Sequence, residues 1–271
     1  MPEGDTLFRI AHQLRHSIDG RRIERALSPR GRVVVDCIEG HTVTAIEARG
    51  KHLLIFLDSG DAIHSHLGMT GSWHVYAVGQ RWHKSQELAD LVLEFAELSC
   101  VCFHSKTLEK LSRMALRRHP HLARLGPDLL GNQFDMDEAL KRFRRRDDVP
   151  IGVAVMDQTI ISGIGNVYKS EILFLEGLDP FQNVSRLSDY QLLTLLRRAQ
   201  CLLRKNVGGQ PRRTRFGHDG KRHWVYGRSG EKCLKCGGTI HMRRQGDLGR
   251  STYWCPPCQE VSRTGCRAGR P

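Results

Sequence analysis

Hydrophobic and polar positions follow two different periods along the first hundred residues. Near the N-terminus the apolar residues recur at helical spacing, which predicts a helix that Asp5 or Thr6 caps and Gly20 ends. From residue 22 to about 104 the period changes to two, in β-rich runs that glycine-bearing turns separate. These runs are typical of a β-sandwich or barrel. They cover residues 32–35, 52–57, 62–67, 73–76 and 91–95.

The second half has a helical pattern. A basic, proline-bearing linker at about 117–128 precedes predicted helices at 137–145, 150–156, 167–176 and 188–205. Ser188 and Gln191 form a capping box for the last of these helices. The turn from Ser162 to Asn166 includes Gly163 and Gly165 and leads into the helix at 167–176, so backbone N–H groups there can hold an anion such as phosphate.

Four cysteines have the spacing of a metal site. Cys233 and Cys236 form one Cys-x-x-Cys pair, and Cys255 and Cys258 form a second pair eighteen residues later. This spacing predicts a tetrahedral zinc site with four thiolates. The residues between the pairs suggest a hairpin with strands at 239–244 and 251–254, which places Arg250 at its tip, where a planar guanidinium suits a phosphate.

The charge balance indicates a nucleic-acid partner. The chain carries 42 Lys and Arg against 29 Asp and Glu, with a pI near 9.6. From Arg204 to Pro271 there are 16 Lys and Arg against four Asp and Glu. No apolar run has the length of a membrane span and no secretory segment follows Met1, so an intracellular protein is expected.

The remaining cysteines show no spacing pattern, which argues against a secreted disulfide framework. Four of them lie in apolar stretches and are expected to be small core residues. These four are Cys37, Cys100, Cys102 and Cys201.

The first residues offer reactive chemistry. Removal of Met1 would leave the secondary amine of Pro2 next to the carboxylate of Glu3. An α-amine titrates near pH 8, so roughly a tenth of it is neutral at pH 7, against well under a thousandth of a lysine. The pair can therefore act as a nucleophile beside an acid on a carbonyl or masked aldehyde.

Motifs in this order along the chain resemble the formamidopyrimidine-DNA glycosylase and endonuclease VIII family of base-excision repair enzymes. Pro2-Glu3-Gly4 resembles the endonuclease VIII branch, and the segment at 211–214 is similar to its actinobacterial members. The other matching segments are 49–51, 66–72, 125–130, 156–158, 163–168, 225–228 and the four-cysteine finger.

The resemblance implies a multi-domain α+β fold. A leading helix and a β-sandwich would form a catalytic domain at 1–120, and a linker at 121–135 would follow. A helix-two-turn-helix DNA-binding domain would occupy 136–228, a β-hairpin zinc finger 229–262 and a tail 263–271. One structural zinc ion, a monomer and damaged double-stranded DNA as the partner are expected. The resemblance also implies a bacterial cytoplasmic, nucleoid-associated location.

The resemblance also implies roles for the candidate residues. Pro2 nitrogen would attack the anomeric carbon of a flipped damaged nucleotide, and the iminium would drive β- and then δ-elimination. Glu3 would act as general acid and base, and Lys51 would hold phosphate and assist proton transfer. Gly165, Asn166 and Arg250 would contact phosphates of the DNA. Met69 would fill the void left by the flipped base.

One departure bears on the substrate. The formamidopyrimidine branch carries an Arg-Phe element beside the lesion, whereas residues 103–106 of this chain are Phe-His-Ser-Lys. Together with the Glu3-Gly4 start, this favours oxidised pyrimidines over 8-oxoguanine. A preference for 8-oxoguanine and formamidopyrimidines is the alternative within the family.

Two other classes are alternatives. A non-catalytic zinc-ribbon protein that binds DNA would fit a chain that retains Met1, because Pro2 nitrogen would then be an amide. A metallohydrolase could use His64 and His66, which share one strand face. No carboxylate or third histidine stands at a ligand spacing that would complete such a site, which argues against this class.

Overall fold

The computed structural model describes residues 2–259, which form two compact units. The first unit contains the chain up to Phe134 together with Val207–Gly209. The second contains Asp135–Asn206 and the chain from Gln210 onward. The tail expected at 263–271 and the end of the expected finger lie outside the described residues. Within residues 2–259, no helix is long and apolar enough to cross a membrane.

The first unit is a helix and a β-sandwich. Helix α1 is followed by two four-stranded antiparallel sheets, in the orders β1-β6-β7-β5 and β2-β3-β4-β8. The short helix α2 follows the last strand. The elements are α1 Gly4–Ile18, β1 Arg25–Leu27, β2 Val43–Arg49, β3 His52–Leu57, β4 Ala62–His66, β5 Ser72–Ala77, β6 Ala89–Glu94, β7 Leu98–Phe103, β8 Thr107–Leu111 and α2 Arg113–Arg118.

The main core of this unit lies between the two sheets and α1. Alternate residues of each strand face it, as the period of two predicts. Its members include Leu7 and Leu14 of α1, Leu53 and Ile55 of β3, and Leu93 of β6, all buried. A second, smaller cluster covers the other face of the β2-β3-β4-β8 sheet and contains Leu54, Leu111 and Leu122. The sheet is therefore covered on both faces.

The second unit is helical and ends in a hairpin. Helix α5 is buried along nearly its whole length, and α6 begins at the capping box that the sequence predicts. Strands β9 and β10 pair in antiparallel fashion, and β10 packs against α5. The elements are α3 Met136–Arg144, α4 Ile151–Ala154, α5 Asn166–Leu175, α6 Asp189–Lys205, β9 His241–Gln245, β10 Arg250–Trp254 and α7 Pro256–Gln259.

The multi-domain α+β class is confirmed, but several local predictions are wrong. Residues 32–35 form no strand, because the backbone N–H groups of Arg32 and Val33 turn back to Ser28 Oγ at 2.9 and 3.2 Å. Helix α1 is capped by Glu3 and not by Asp5 or Thr6. Cys37 and Cys201 are exposed, whereas the other two predicted core cysteines, Cys100 and Cys102, are buried.

Candidate active site and nucleic-acid interface

The Pro2-Glu3 pair lies at the start of α1. Pro2 is half-buried and Glu3 is fully buried. The Glu3 carbonyl accepts the N–H groups of Thr6 and Leu7 at 3.0 and 3.2 Å, while its carboxylate makes no capping bond to the helix. The helix packs against β2 and β3, which fixes its first turn on the sandwich. The buried carboxylate of Glu3 is thereby fixed on the sandwich, one residue after Pro2.

Lys51 stands in the two-residue turn between β2 and β3. Gly50 has a φ of 58° and occupies the first central position, as a type II′ hairpin turn requires. The Gly50 N–H donates to Asp128 Oδ2 at 2.6 Å, and the Leu130 N–H donates to Asp128 Oδ1 at 2.9 Å. Burial raises the pKa of Asp128. The segment at 125–130 therefore anchors the turn that presents Lys51.

Met69 is exposed at the tip of the loop between β4 and β5. Its side chain is 65 % exposed, so the alternative that it is a core methionine is wrong. The loop is tight, because a Cβ at Gly71 would lie 2.4 Å from the Leu67 carbonyl oxygen. The Lys106 N–H donates to the His66 carbonyl at 2.9 Å and ties the loop to the neighbouring turn. That turn, from His104 to Lys106, has only three residues between β7 and β8.

A glutamine builds the turn that precedes α5. Gln158 Nε2 donates to the carbonyls of Met156 and Ile164 at 2.9 and 3.1 Å, and its Oε1 accepts the Gly163 N–H at 3.1 Å. Gly163 has a φ of 108°, a conformation that favours glycine. Gly165 is the N-cap of α5. The turn thus fixes where α5 begins, and the N–H groups of a helix N-terminus can hold an anion.

Asn166 meets the zinc-finger hairpin. Its Nδ2 lies 2.9 Å from Ser251 Oγ, next to Arg250 at the start of β10. Within residues 2–259, Asn166 Oδ1 and Arg250 Nε are buried without a hydrogen-bond partner. Buried polar atoms of this kind are rare unless a ligand satisfies them. Arg250 is opposite Gln245 in the hairpin register, so it begins a strand and does not occupy the tip of the hairpin.

Lys169 is a buried cation below this pair. Its Nζ donates to the Ser251 carbonyl at 3.0 Å and to Thr252 Oγ1 at 2.9 Å, and the residue is 1 % exposed. The lysine ties α5 to β10 and places a positive charge beneath Asn166 and Arg250. Its position in a helix whose second half is apolar is the sequence signal that could have identified it.

Glu171 organises the segment before the finger. Its carboxylate accepts the backbone N–H groups of Trp224, Val225 and Tyr226, each at 2.8 Å, and the hydroxyl of Thr214. Arg228 continues this link, since its guanidinium donates to the carbonyls of Trp224 and Lys232. The motif at 225–228 is therefore a structural connection from α5 to the finger.

The four finger cysteines come together. Cys236 Sγ lies 3.4 Å from Cys255 Sγ, and Cys233 Sγ lies 4.0 Å from Cys258 Sγ. Thiolates around a tetrahedral zinc ion at about 2.3 Å stand about 3.8 Å apart, so the four sulfurs fit this ion. The backbone N–H of Gly238 lowers the pKa of Cys236 to about 7, which favours the ligating thiolate.

Comparison with known families decides the identity. The N-terminal domain of formamidopyrimidine-DNA glycosylase matches residues 1–107, and the H2TH domain of the same enzyme matches residues 125–216. The zinc finger found in FPG and IleRS matches residues 230–261. The chain belongs to the formamidopyrimidine-DNA glycosylase and endonuclease VIII family. It is therefore an enzyme of base-excision repair, a DNA glycosylase with apurinic/apyrimidinic (AP) lyase activity.

Relatives place the chain in the endonuclease VIII-like branch of this family. It is 38 % identical to the probable endonuclease 8 2 of Streptomyces coelicolor, over 99 % of this chain and 98 % of that one. It is 36 % identical to the DNA-(apurinic or apyrimidinic site) lyase Nei2 of Mycolicibacterium smegmatis, over 97 % of this chain and 100 % of that one. Among solved structures, Lactococcus lactis Fpg with DNA containing N7-benzyl-Fapy-dG is 26 % identical with a TM-score of 0.81. The match covers 96 % of this chain and 100 % of that one.

The family residues are divided between the two units. Pro2, Glu3, Lys51 and Met69 lie in the first unit. The second unit brings the α5 N-terminus, Arg250 and the four cysteines onto one connected scaffold. Sequence reasoning gave no role to Asp128, Gln158, Lys169 or Glu171, each of which positions a candidate site residue or the scaffold beneath it.

Proposed function

We propose that the protein excises oxidised pyrimidines from double-stranded DNA through a Schiff base on Pro2, followed by β,δ-elimination. The observation that carries this proposal is the fully buried Glu3 carboxylate at the start of α1, one residue after Pro2. Removal of Met1 leaves the Pro2 nitrogen as an amine of near-neutral pKa. Shielding the carboxylate from water strengthens its electrostatic interaction with groups that gain charge during the reaction.

The reaction divides into two stages. In the first, Pro2 nitrogen forms a bond to C1′ of the flipped nucleotide, the bond to the damaged base breaks, and Glu3 donates a proton as the sugar ring opens. In the second, the iminium accepts the electron pair left by removal of a 2′ proton, and the 3′ phosphate leaves; the 5′ phosphate leaves in the δ step. Glu3 and Lys51 carry the protons, since both stand at the ends of elements of one sandwich.

The second unit supplies the grip on DNA. Arg250 Nε has an N–H with no protein acceptor within residues 2–259, and a phosphate oxygen satisfies it. A 180° rotation of the Asn166 amide lets the Ser251 hydroxyl donate to Oδ1 and frees Nδ2 for a second phosphate oxygen. Cys233, Cys236, Cys255 and Cys258 would hold a zinc ion, which would stiffen the hairpin that carries Arg250. Four thiolates fill the tetrahedral shell, so the ion has a structural role.

The lesion preference is supported by the short turn beside Met69. The three residues from His104 to Lys106 are His, Ser and Lys and carry no Arg-Phe element, so Met69 fills the void of the flipped base without one. Endonuclease 8 relatives at 36–38 % identity support oxidised pyrimidines. The alternative, a purine preference, is favoured by Rhodopseudomonas palustris formamidopyrimidine-DNA glycosylase at 31 % identity. The protein is expected to act as a monomer in the bacterial cytoplasm.

The decisive experiment is borohydride trapping on duplex DNA that carries an abasic site, thymine glycol, dihydrouracil or 8-oxoguanine. Mass spectrometry first establishes that the N-terminus is Pro2. The native chain should form a covalent adduct that maps to Pro2, and Pro2→Gly should form none. An adduct on a lysine would refute the assignment of the nucleophile. Faster excision of 8-oxoguanine opposite cytosine than of thymine glycol would refute the pyrimidine preference alone.

A further inference from the structure

A second cluster of metal-ligating side chains lies in the first unit, outside the machinery described above. His64 Nδ1, Glu109 Oε1 and His119 Nε2 lie within 4.8 Å of one another. Among residues 2–259, this group and the four finger cysteines are the only sets of three or more such side chains with ligand atoms this close. The sequence pointed to His64 but paired it with His66 and found no carboxylate to complete a site, because Glu109 lies 45 residues from His64 and His119 a further 10.

Strand register brings the three residues together. His64 on β4 is directly opposite Glu109 on β8, so both side chains stand on the same face of the sheet. That face is the outer one, which α2 and the segment after it cover. His119 ends α2 and points back to the same carboxylate. The cluster is thus built from three elements of one rigid unit.

The hydrogen bonds show how the three side chains are aligned. Glu109 Oε1 lies 2.8 Å from His64 Nδ1 and 3.1 Å from His119 Nε2. The other ring nitrogen of His64, Nε2, lies 2.8 Å from Nδ1 of His52, and this contact fixes the orientation of the His64 ring. A ring nitrogen supported in this way from its other side is the usual arrangement of a metal-bound histidine.

We infer that His64, Glu109 and His119 form a binding site for a divalent transition ion such as Zn²⁺. Two imidazoles and one carboxylate are a known three-ligand set for zinc and leave a fourth position open. His64 is 1 % exposed and closes the inner side, while the Glu109 side chain is 36 % exposed and leaves a path for the ion. The exposed ring of His121, 5.8 Å from that of His119, stands near the open side.

A ring nitrogen binds the ion through a lone pair. His64 Nδ1 and His119 Nε2 now donate an N–H to Glu109, so both rings must change tautomer. For His64 the proton moves to Nε2, which then donates to His52 Nδ1, and the proton of that His52 nitrogen moves to the His52 Nε2. For His119 the proton moves to Nδ1, which now accepts the Leu122 N–H at 3.2 Å, so that one backbone bond is released. Each change of tautomer breaks one N–H bond and forms another on the same ring, and the ion replaces the two hydrogen bonds to Glu109 with three metal–ligand bonds.

The site would link the end of α2 to the β4–β8 ladder. It would therefore stabilise the folded chain in proportion to the free ion concentration, since binding to the native state alone adds RT ln(1 + [Zn²⁺]/Kd). The site is separate from the finger, which lies in the other unit.

The test counts zinc in the untagged, reduced, full-length chain after dialysis against buffered micromolar Zn²⁺. The native chain should hold two zinc ions, and Glu109→Gln and His119→Gln should each hold one. The matched control is the double variant His12→Gln/His16→Gln. It removes an exposed pair of rings 4.3 Å apart on α1 and should keep both ions. One zinc ion in the native chain, or two in Glu109→Gln, would overturn the inference.

Cobalt titration of the native chain tests the same site without any substitution. The first equivalent should give thiolate-to-cobalt charge-transfer absorption from the finger. The second should add ligand-field absorption without more of that charge-transfer band, because its ligands are nitrogen and oxygen. A chain that takes up no second equivalent, or whose melting temperature does not rise with it, would contradict the site even if the two variants misfold.

Discussion

The two parts of the molecule differ in charge and in the kind of residue that they hold. Up to residue 134 the chain carries 17 Lys and Arg against 15 Asp and Glu, whereas from residue 135 onward it carries 25 against 14. The nearly neutral part holds the candidate nucleophile and acid, and the basic part holds the candidate phosphate ligands. Affinity for DNA depends mainly on phosphate contacts, so chemistry and affinity should respond to different substitutions.

The largest expected effect is on the rate, from Glu3→Gln. Loss of a general acid and base typically lowers a rate by about 10²–10⁴, and single-turnover excision of dihydrouracil measures it. DNA affinity should stay within about twofold of the native value, because no phosphate contact is lost. The matched control is Glu24→Gln, an exposed carboxylate of the same unit. A large loss of DNA affinity in Glu3→Gln would contradict the assignment of chemistry to the first part of the molecule and of affinity to the second.

The next effect is on binding, from Cys233→Ser. Loss of one thiolate should unfold the finger locally, because a structural zinc site contributes directly to folding. We expect DNA affinity to fall about 100-fold, because the hairpin unfolds and Arg250 and the cations near it lose their positions together. Fluorescence anisotropy and metal analysis measure the two consequences. Cys201→Ser, an exposed cysteine on α6, is the control and should change neither. Full affinity without zinc would contradict the structural role of the ion.

Much of the fold could be predicted because its signals are local. The capping box at Ser188, the paired cysteines and the period-two runs each depend on residues a few positions apart. Residues 32–35 have the β propensity of a strand but not its structure, because Ser28 captures their backbone N–H groups. A local bond from a side chain to the backbone competes with strand formation in such a segment.

The candidate site was predictable only where a motif is contiguous. Asp128 reaches Gly50 from 78 positions away, and Glu109 reaches His64 from 45 positions away. Such contacts depend on which strand residues are paired and on where the chain returns to the sheet. The hydrophobic periodicity of the sequence encodes neither. Lys169 is a partial exception, because a lysine in a helix that continues as an apolar run signals a specific partner.

A smaller effect on binding is expected from Arg250→Ala. Affinity should fall about tenfold for every lesion alike, because a phosphate contact carries no base information. The slope of log K against log salt should become shallower by about 0.9, the value for one phosphate in duplex DNA. Arg142→Ala is the control, since its guanidinium is already bonded to Glu138 and the Thr159 carbonyl. A loss confined to one lesion would make Arg250 a base-reading residue.

The smallest effect, from Asp128→Asn, sharpens the comparison within the neutral part. The amide can accept the Gly50 N–H or the Leu130 N–H but places a donor against the other, which weakens the hold on the turn of Lys51. A cost of about 1 kcal/mol corresponds to about a fivefold lower rate of excision with unchanged DNA affinity. Asp36→Asn, an exposed carboxylate of the same unit, should leave both quantities unchanged. Asp128 acts through Lys51, so in a Lys51→Ala background the substitution should have no further effect on the rate. A full additional fivefold loss in that background would show that Asp128 supports the fold rather than the turn.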